Sequence, residues 1–210
     1  GVGTAEAGTY SVTATVTGCT GPAGTVNVAI NPPQTPTVTN TSPTCTGQTL
    51  SLSANTVAGA TYSWIGPNSF TSTLEDPTIG AVTAAAAGSY SVTIDLGGCV
   101  GPVGVTTATI NVSPASPSPG SNSPVCVGFD LSLTASTVAG TTYLWNGPNI
   151  YTSSVQNPTI ANVTTANAGT YSITATSIAT GCVSNTATTS VTINVIPASP
   201  TATSSTPVCS

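Results

Sequence analysis

Short stretches of alternating apolar and hydroxyl-bearing residues run along the whole chain. In the stretch 89–95, Tyr90, Val92 and Ile94 occupy every second position, and Ser or Thr separates them. A period of two places the apolar side chains on one face of a β-strand. No stretch of useful length has the 3.6-residue period of a helix. The pattern therefore predicts an all-β protein.

The pattern repeats along the chain. Segment 62–68 (YSWIGPN) matches 143–149 (YLWNGPN), and 76–79 (DPTI) matches 157–160 (NPTI), both at a shift of 81 residues. Such a period predicts tandem domains. We expect four segments from a longer array: the C-terminal part of a repeat at 1–33, full repeats at 34–114 and 115–197, and the start of a further repeat at 198–210.

Each full repeat is predicted to contain seven short strands bounded by Gly, Pro and Asn. In the first full repeat, the alternation and the turn residues place them near 36–44, 49–55, 61–65, 69–72, 77–82, 89–95 and 105–112.

One motif occurs three times and carries a resemblance. A run of small residues and a Gly lead into Tyr10, Tyr90 and Tyr171, each at the start of an alternating stretch. The motif resembles the tyrosine corner of immunoglobulin-like sandwiches, where the phenol bonds back to the backbone of the corner. The chain as a whole resembles tandem immunoglobulin-like repeats of very large secreted or cell-surface bacterial proteins, of the adhesin or filament type.

The resemblance implies tandem Ig-like antiparallel β-sandwiches of about 81 residues. In immunoglobulin domains, a disulfide links the second and sixth of the seven strands, beside a tryptophan on the third. Here Leu52 and Val92, or Leu133 and Ile173, stand at the cysteine positions. We favour a buried tryptophan over one that stacks on carbohydrate. The implied core consists of Trp64, Trp145, Tyr10, Tyr90, Tyr171, Leu52, Val92, Leu133 and Ile173.

The composition excludes several functions. The chain has no Lys, Arg or His and only five acidic residues, for a net charge of −5. Nucleic-acid binding needs cationic side chains, and a Ser or Cys nucleophile needs a base. We therefore expect no enzyme, no cofactor, no nucleic acid and no membrane insertion. Glu75 and Asp76 form the only adjacent carboxylate pair, for which we favour a solvated turn over a calcium site.

Six cysteines predict disulfides and an extracellular or cell-surface location. By analogy with a tandem Ig-like array, Cys45 and Cys99 fall at opposite ends of one repeat. A staggered bond from Cys45 to Cys182 of the next repeat is then favoured. Within-repeat pairing (Cys45–Cys99 and Cys126–Cys182) and bonds between chains or free thiols stay open, also for Cys19 and Cys209.

The predicted role is structural: a stalk, adhesin shaft or filament. The alternative is a module that binds carbohydrate or protein through loops, for which Phe70 and Tyr151 are the best exposed contacts. Sequences of the type Asn-x-Ser/Thr begin at Asn40, Asn111 and Asn162 and could carry glycans. Since the sheet edges lack Lys and carry almost no charge, we also expect self-association into a filament or bundle.

Overall fold

A computed structural model describes residues 4–203. The chain divides into two compact units, with the boundary between Val112 and Ser113. The secondary structure of each unit consists of short β-strands and single turns of 3-10 helix.

The first unit contains fourteen strands among its described residues. They are β1 Gly8–Val12, β2 Thr15–Val16, β3 Cys19–Thr20, β4 Gly24–Val28, β5 Val38–Asn40, β6 Thr44–Cys45, β7 Leu50–Ala54, β8 Thr61–Gly66, β9 Phe70–Ser72, β10 Thr78–Ile79, β11 Gly88–Leu96, β12 Cys99–Val100, β13 Gly104–Ala108 and β14 Ile110–Asn111.

The second unit repeats this order from strand β5 onward, except that β12 has no counterpart among its described strands. Its strands are β15 Pro119–Ser121, β16 Val125–Cys126, β17 Leu131–Ala135, β18 Thr141–Gly147, β19 Tyr151–Ser153, β20 Thr159–Ile160, β21 Gly169–Ser177, β22 Ala187–Val191 and β23 Ile193–Asn194.

Two sheets form each repeat. In the first unit, β10, β7 and β5 pair in that order, while β11 lies between β8 and β13 and β9 flanks β8. All these pairs are antiparallel. The second unit has the same two sheets, in the orders β20–β17–β15 and β19–β18–β21–β22. The fold is thus all-β and immunoglobulin-like, as predicted.

The first predicted strand of each repeat is divided into two pieces. The break falls at the cis peptide bonds Ser42–Pro43 and Ser123–Pro124. The piece after the proline leaves the first sheet and pairs in parallel with the last strand, as β6 with β14 and β16 with β23. The end strands of each repeat are therefore hydrogen-bonded to each other.

Each repeat encloses its own core. Leu52 on β7 and Trp64 on β8 are buried in the same cluster as Val92 on β11, and Trp64 lies directly across from Val92 in the sheet. Leu133, Trp145 and Ile173 take the same places in the second repeat. Apolar packing thus occupies the place where immunoglobulin domains have a disulfide.

Residues 4–33 form no complete sandwich. Strands β1 and β4 pair over five residues, with Tyr10 opposite Val26, and β2 pairs with β3 beyond them. We call this segment, residues 8–28, the N-terminal hairpin. It contains the equivalents of β11 and β13 without the strands that cover them in a repeat.

Candidate functional site: the tyrosine corners and the cysteine positions

All three tyrosine corners close in the same way. The phenol of Tyr10 donates to the carbonyl oxygen of Glu6 at 2.8 Å, that of Tyr90 to Ala86 at 2.8 Å, and that of Tyr171 to Asn167 at 2.9 Å. Each acceptor lies four residues earlier, in a turn of 3-10 helix. The corner predicted from the motif is confirmed in every copy.

The two repeat corners are closely packed. A Cβ atom added to Gly66 would lie 2.3 Å from the Tyr90 ring, and one added to Gly147 would lie 2.4 Å from the Tyr171 ring. Glycine is needed there because the ring lies directly against the backbone of the neighbouring strand. Burial raises the pKa of Tyr90 above its usual value. Burial and the neighbouring Tyr151 also raise the pKa of Tyr171, against a hydrogen bond with Asn167 that lowers it.

Phe70 and Tyr151 are the candidate exposed contacts of the alternative binding module, and neither is fully exposed. Both side chains are half-buried and pack edge-on against the corner tyrosine. The ring centroids of Phe70 and Tyr90 are 5.5 Å apart, and those of Tyr151 and Tyr171 are 5.7 Å apart. The glycine on strand β8 or β18 leaves room for the corner tyrosine ring. The second aromatic ring packs edge-on against this tyrosine, which is a favourable arrangement for aromatic pairs.

The assignment of Tyr10 to a core is wrong. Tyr10 is 52% exposed, whereas Tyr90 and Tyr171 are both 0% exposed. The N-terminal hairpin has no second sheet over it among the described residues, so its corner forms without burial. Val12 and Val26 on the same hairpin are exposed as well.

The carboxylate pair of the first repeat makes structural hydrogen bonds. Glu75 accepts a hydrogen bond from the hydroxyl of Thr56, and Asp76 accepts one from the backbone N–H of Ala54 at 3.2 Å. In the second repeat, Asn157 accepts the matching bond from Ala135 at 2.9 Å. The amide oxygen replaces the carboxylate, so the position needs an acceptor rather than a charge. Residues 4–203 contain no cluster of three or more His, Cys, Asp or Glu that could hold a metal.

The five described cysteines are in two states. Cys45 and Cys182 are disulfide-bonded. Cys19, Cys99 and Cys126 are free thiols, of which Cys19 and Cys126 are exposed. The within-repeat pairing is wrong, because it requires Cys99 and Cys126 to be oxidised. Cys209 lies outside the described residues.

The first repeat shows why a within-repeat bond is impossible. Cys45 lies opposite Asn111, at the end of the last strand. Cys99 lies in the hairpin before Gly104, where that strand begins. Residues 104 and 111 are about 23 Å apart at ~3.3 Å per residue, whereas a disulfide needs Cα atoms within about 7 Å. Cys126, opposite Asn194, and Cys182, before Ala187, are likewise separated in the second repeat.

An open groove surrounds Cys126. Its volume is about 690 Å³, and its lining includes Pro124, Val125, Phe129 and Asp130. Phe129 is 62% exposed, which is unusual for a phenylalanine beside a strand. Sequence reasoning missed this groove. The signal was present in the alignment of the repeats, where Phe129 stands at the position of Gln48.

Two of the three glycosylation sequences differ in accessibility. The amide of Asn40 donates to the Thr106 hydroxyl at 2.6 Å and to the Thr107 carbonyl at 3.1 Å. The side chain of Asn162 is exposed on a turn with a φ of 51°. Asn162 is therefore the better acceptor of the two.

Comparisons with known proteins find similar chains among solved structures alone. No protein-family model matches the chain, and no curated protein matches it in sequence. Murine CEACAM1b is 14% identical with a TM-score of 0.36, and the match covers 77% of this chain and 100% of that one. The three N-terminal domains of the bacteriophage RB49 Hoc capsid protein are 18% identical with a TM-score of 0.35, over 76% of this chain and 59% of that one.

The ectodomain of mouse nectin-like molecule 4 is a further similar structure. It is 14% identical, with a TM-score of 0.33, and the match covers 80% of this chain and 67% of that one. In residues 4–203 no helix has the length and apolar character needed to cross a membrane.

Proposed function

We propose that the chain is a structural, non-enzymatic segment of an extracellular repeat protein that forms a stalk, an adhesin shaft or a filament. The observation that carries the proposal is the packing of one loop side chain in each repeat. In both repeats the aromatic residue after the Gly-Pro-Asn turn, Phe70 or Tyr151, packs on its own corner tyrosine. These two aromatic side chains therefore stabilise the repeats instead of presenting contacts to a ligand.

The inventory of side chains supports a role without chemistry. The sequence offers no His, Lys or Arg to act as a base, a general acid or an anion ligand. The polar groups beside the core are used within each repeat, as with Asp76 and Asn157. The result is a surface rich in hydroxyl groups with very little charge, which suits a spacer.

The cysteine states support an extracellular location and a link between repeats. Disulfides persist in oxidising compartments, and Cys45 and Cys182 are both oxidised. We propose that these two residues bond to each other, so that each repeat is covalently joined to the next. Peptide mapping under non-reducing conditions tests this proposal. Recovery of Cys45 linked to Cys182 is expected, and recovery of Cys45 linked to Cys99 would overturn it.

Self-association is part of the proposed role. Ile65, Val103 and Val105 are exposed on one repeat, and a net charge of −5 over 210 residues gives little repulsion between copies. Sedimentation velocity and electron microscopy of the purified chain, with reductant present, should show elongated assemblies at micromolar concentration. A monomer at every concentration would contradict the assembly role.

A binding module is the second candidate, and one residue favours it. Ile150 is 96% exposed and has a φ of 58°, a conformation that is costly for a β-branched residue. Ser69 stands at the same place in the first repeat, so this loop tip differs between the repeats. Binding to a glycan or protein array that is lost in Ile150→Ser, with sedimentation unchanged, would favour the module over the spacer.

A further inference from the structure

We propose that the groove around Cys126 is a docking site for the N-terminal hairpin of a second copy of this chain, and that Cys126 of one copy forms a disulfide with Cys19 of the other. The proposal rests on the Cys45–Cys182 pairing proposed above, and it adds a second copy of the chain as the partner of Cys126. It follows from two kinds of cysteine that the repeats contain.

The first kind lies on the strand that follows the cis proline. Cys45 and Cys126 both come two residues after this proline, and each lies opposite an asparagine at the end of the last strand, Asn111 or Asn194. These two cysteines are therefore equivalent positions in the two repeats. Only one of them, Cys45, is disulfide-bonded, whereas Cys126 is an exposed thiol.

The second kind follows a glycine in the hairpin after the corner strand. Cys19, Cys99 and Cys182 share this place, each after a Gly or Gly-Gly. In the first two, the cysteine strand pairs back on the corner strand or its continuation, as Cys19 with Val16 and Cys99 with Leu96. Cys182 is oxidised, and the other two are free. The oxidised pair thus contains one cysteine of each kind, and so does the pair Cys126 and Cys19.

Accessibility selects Cys19 over Cys99 as the partner. Cys19 is exposed, whereas Cys99 is half-buried. The N-terminal hairpin also presents an apolar face, on which Tyr10 is 52% and Val26 is 61% exposed. Exposed apolar surface of this kind is typical of an interaction site.

The groove complements this hairpin. Phe129 and Pro124 give it apolar walls, and Asp130 is its one charged residue. Residues 7–33 carry no charged side chain at all. Docking therefore opposes no like charges, and it covers both Phe129 and the exposed face of the hairpin.

The covalent step needs an oxidant, for which we name a small-molecule disulfide such as oxidised glutathione. The Cys19 thiolate attacks it, which gives a mixed disulfide and releases one reduced thiol. The Cys126 thiolate of the other copy then attacks the Cys19 sulfur and releases the second. Two protein thiols are oxidised, and one small disulfide is reduced to two thiols.

The test mixes unlabelled chain with chain labelled uniformly with ¹⁵N in an oxidised and reduced glutathione buffer. After alkylation of free thiols, thermolysin cuts before apolar residues such as Val26 and Val38 and so separates Cys19 from Cys45. We expect a species of twice the 20.3 kDa chain mass. We also expect a Cys19–Cys126 peptide pair in which one half is labelled and the other is not. A pair that is only fully labelled or fully unlabelled would mean a bond within one chain and would overturn the proposal.

Single variants locate the bond. Cys126→Ser and Cys19→Ser should each lose the covalent dimer, whereas Cys99→Ser and Cys209→Ser should keep it. Loss in Cys209→Ser with retention in Cys126→Ser would overturn the proposal. Phe129→Gln, which introduces the residue of the first repeat, should slow cross-linking without changing the fold, and an unchanged rate would exclude the groove as the docking site. If the chain assembles under reductant but gives no Cys19–Cys126 peptide, this inference fails and the proposed structural role stands.

Discussion

The N-terminal hairpin and the complete repeats contain nearly the same strand in different surroundings. Strand β1 reads GTYSV and strand β11 begins GSYSV, and both pair with a following strand over five residues in the same register. The corner hydrogen bond is equally short at Tyr10 and Tyr90. Only the exposure of the ring differs, 52% against 0%. The corner is therefore a local structure that the motif specifies, and burial is added by the opposite sheet.

The largest effect should come from removing the ring itself. Tyr90→Ala leaves a cavity in a closed core and should lower the free energy of unfolding by about 3–5 kcal/mol. Tyr10→Ala removes an exposed ring and should change it by no more than about 0.5 kcal/mol. Urea unfolding followed by far-ultraviolet circular dichroism, which reports on the strands of the hairpin as well as those of the repeats, measures both variants. Equal losses would mean that the hairpin is covered in solution.

The glycine beside the corner should have the next largest effect. In Gly66→Ala the new methyl group would overlap the Tyr90 ring, and overpacking of this kind costs about 1–3 kcal/mol. Gly80→Ala is the matched control, since nothing lies within 4 Å of its added Cβ atom. The midpoint of urea unfolding should fall only in Gly66→Ala. A similar fall in both variants would point to backbone flexibility instead of the tyrosine contact.

A smaller effect, of opposite sign, is expected at Glu75. Trp145 donates to the Gln156 carbonyl at 3.1 Å, and the Gln156 side chain donates to the Ala135 carbonyl at 2.8 Å. In the first repeat, the equivalent tryptophan is Trp64, whose buried indole N–H has no partner. Glu75, which has no side-chain donor when ionised, stands at the position of Gln156. Glu75→Gln restores the side-chain donor and should stabilise the repeat by about 0.5–1.5 kcal/mol, the net value of one hydrogen bond. Gln156→Glu is the reverse control and should lower stability, and no change in either variant would contradict the comparison.

The smallest effect is expected from alkaline pH. Burial raises the pKa of Tyr90 and Tyr171 in the folded chain, so the folded state holds these protons more tightly than the unfolded state does. The resulting stability is complete below the unfolded pKa of about 10 and is lost as the pH rises through the raised values. Melting temperatures measured from pH 8 to pH 12 should fall less steeply in a Tyr90→Phe, Tyr171→Phe double variant. A slope identical to that of the parent chain would exclude these two groups.

The sequence predicted the strands and the corners well because both depend on local patterns. Alternation placed Tyr90, Val92 and Ile94 on one face, and all three are buried. The motif of small residues, Gly and Tyr was enough to predict the corner bond. These features need only neighbouring residues, so a single sequence contains the information.

The errors concern contacts between distant residues. The motif around Tyr10 is the same as that around Tyr90 and Tyr171, so the local sequence predicts a buried ring. Burial also needs a second sheet, and the described residues provide none over Tyr10. Phe70 follows a polar turn, yet it packs against Tyr90, a residue twenty positions further along the chain. The groove at Cys126 exists because the Phe129 side chain lies outside the core. The sequence alone does not show that the core has no place for this side chain.

The parallel pairing of the end strands has a mechanical consequence. Within the first repeat, Thr44 donates to Thr109 at 3.1 Å and Thr46 donates to Asn111 at 2.9 Å. Because these strands run side by side in the same direction, a pull on the two ends of a repeat slides one strand along the other. The hydrogen bonds then resist the force together, whereas an antiparallel pair pulled at its open end separates one bond at a time. The same bonds recur from Val125 to Thr192 and from Val127 to Asn194, so tension along the chain meets the same shear resistance in each repeat.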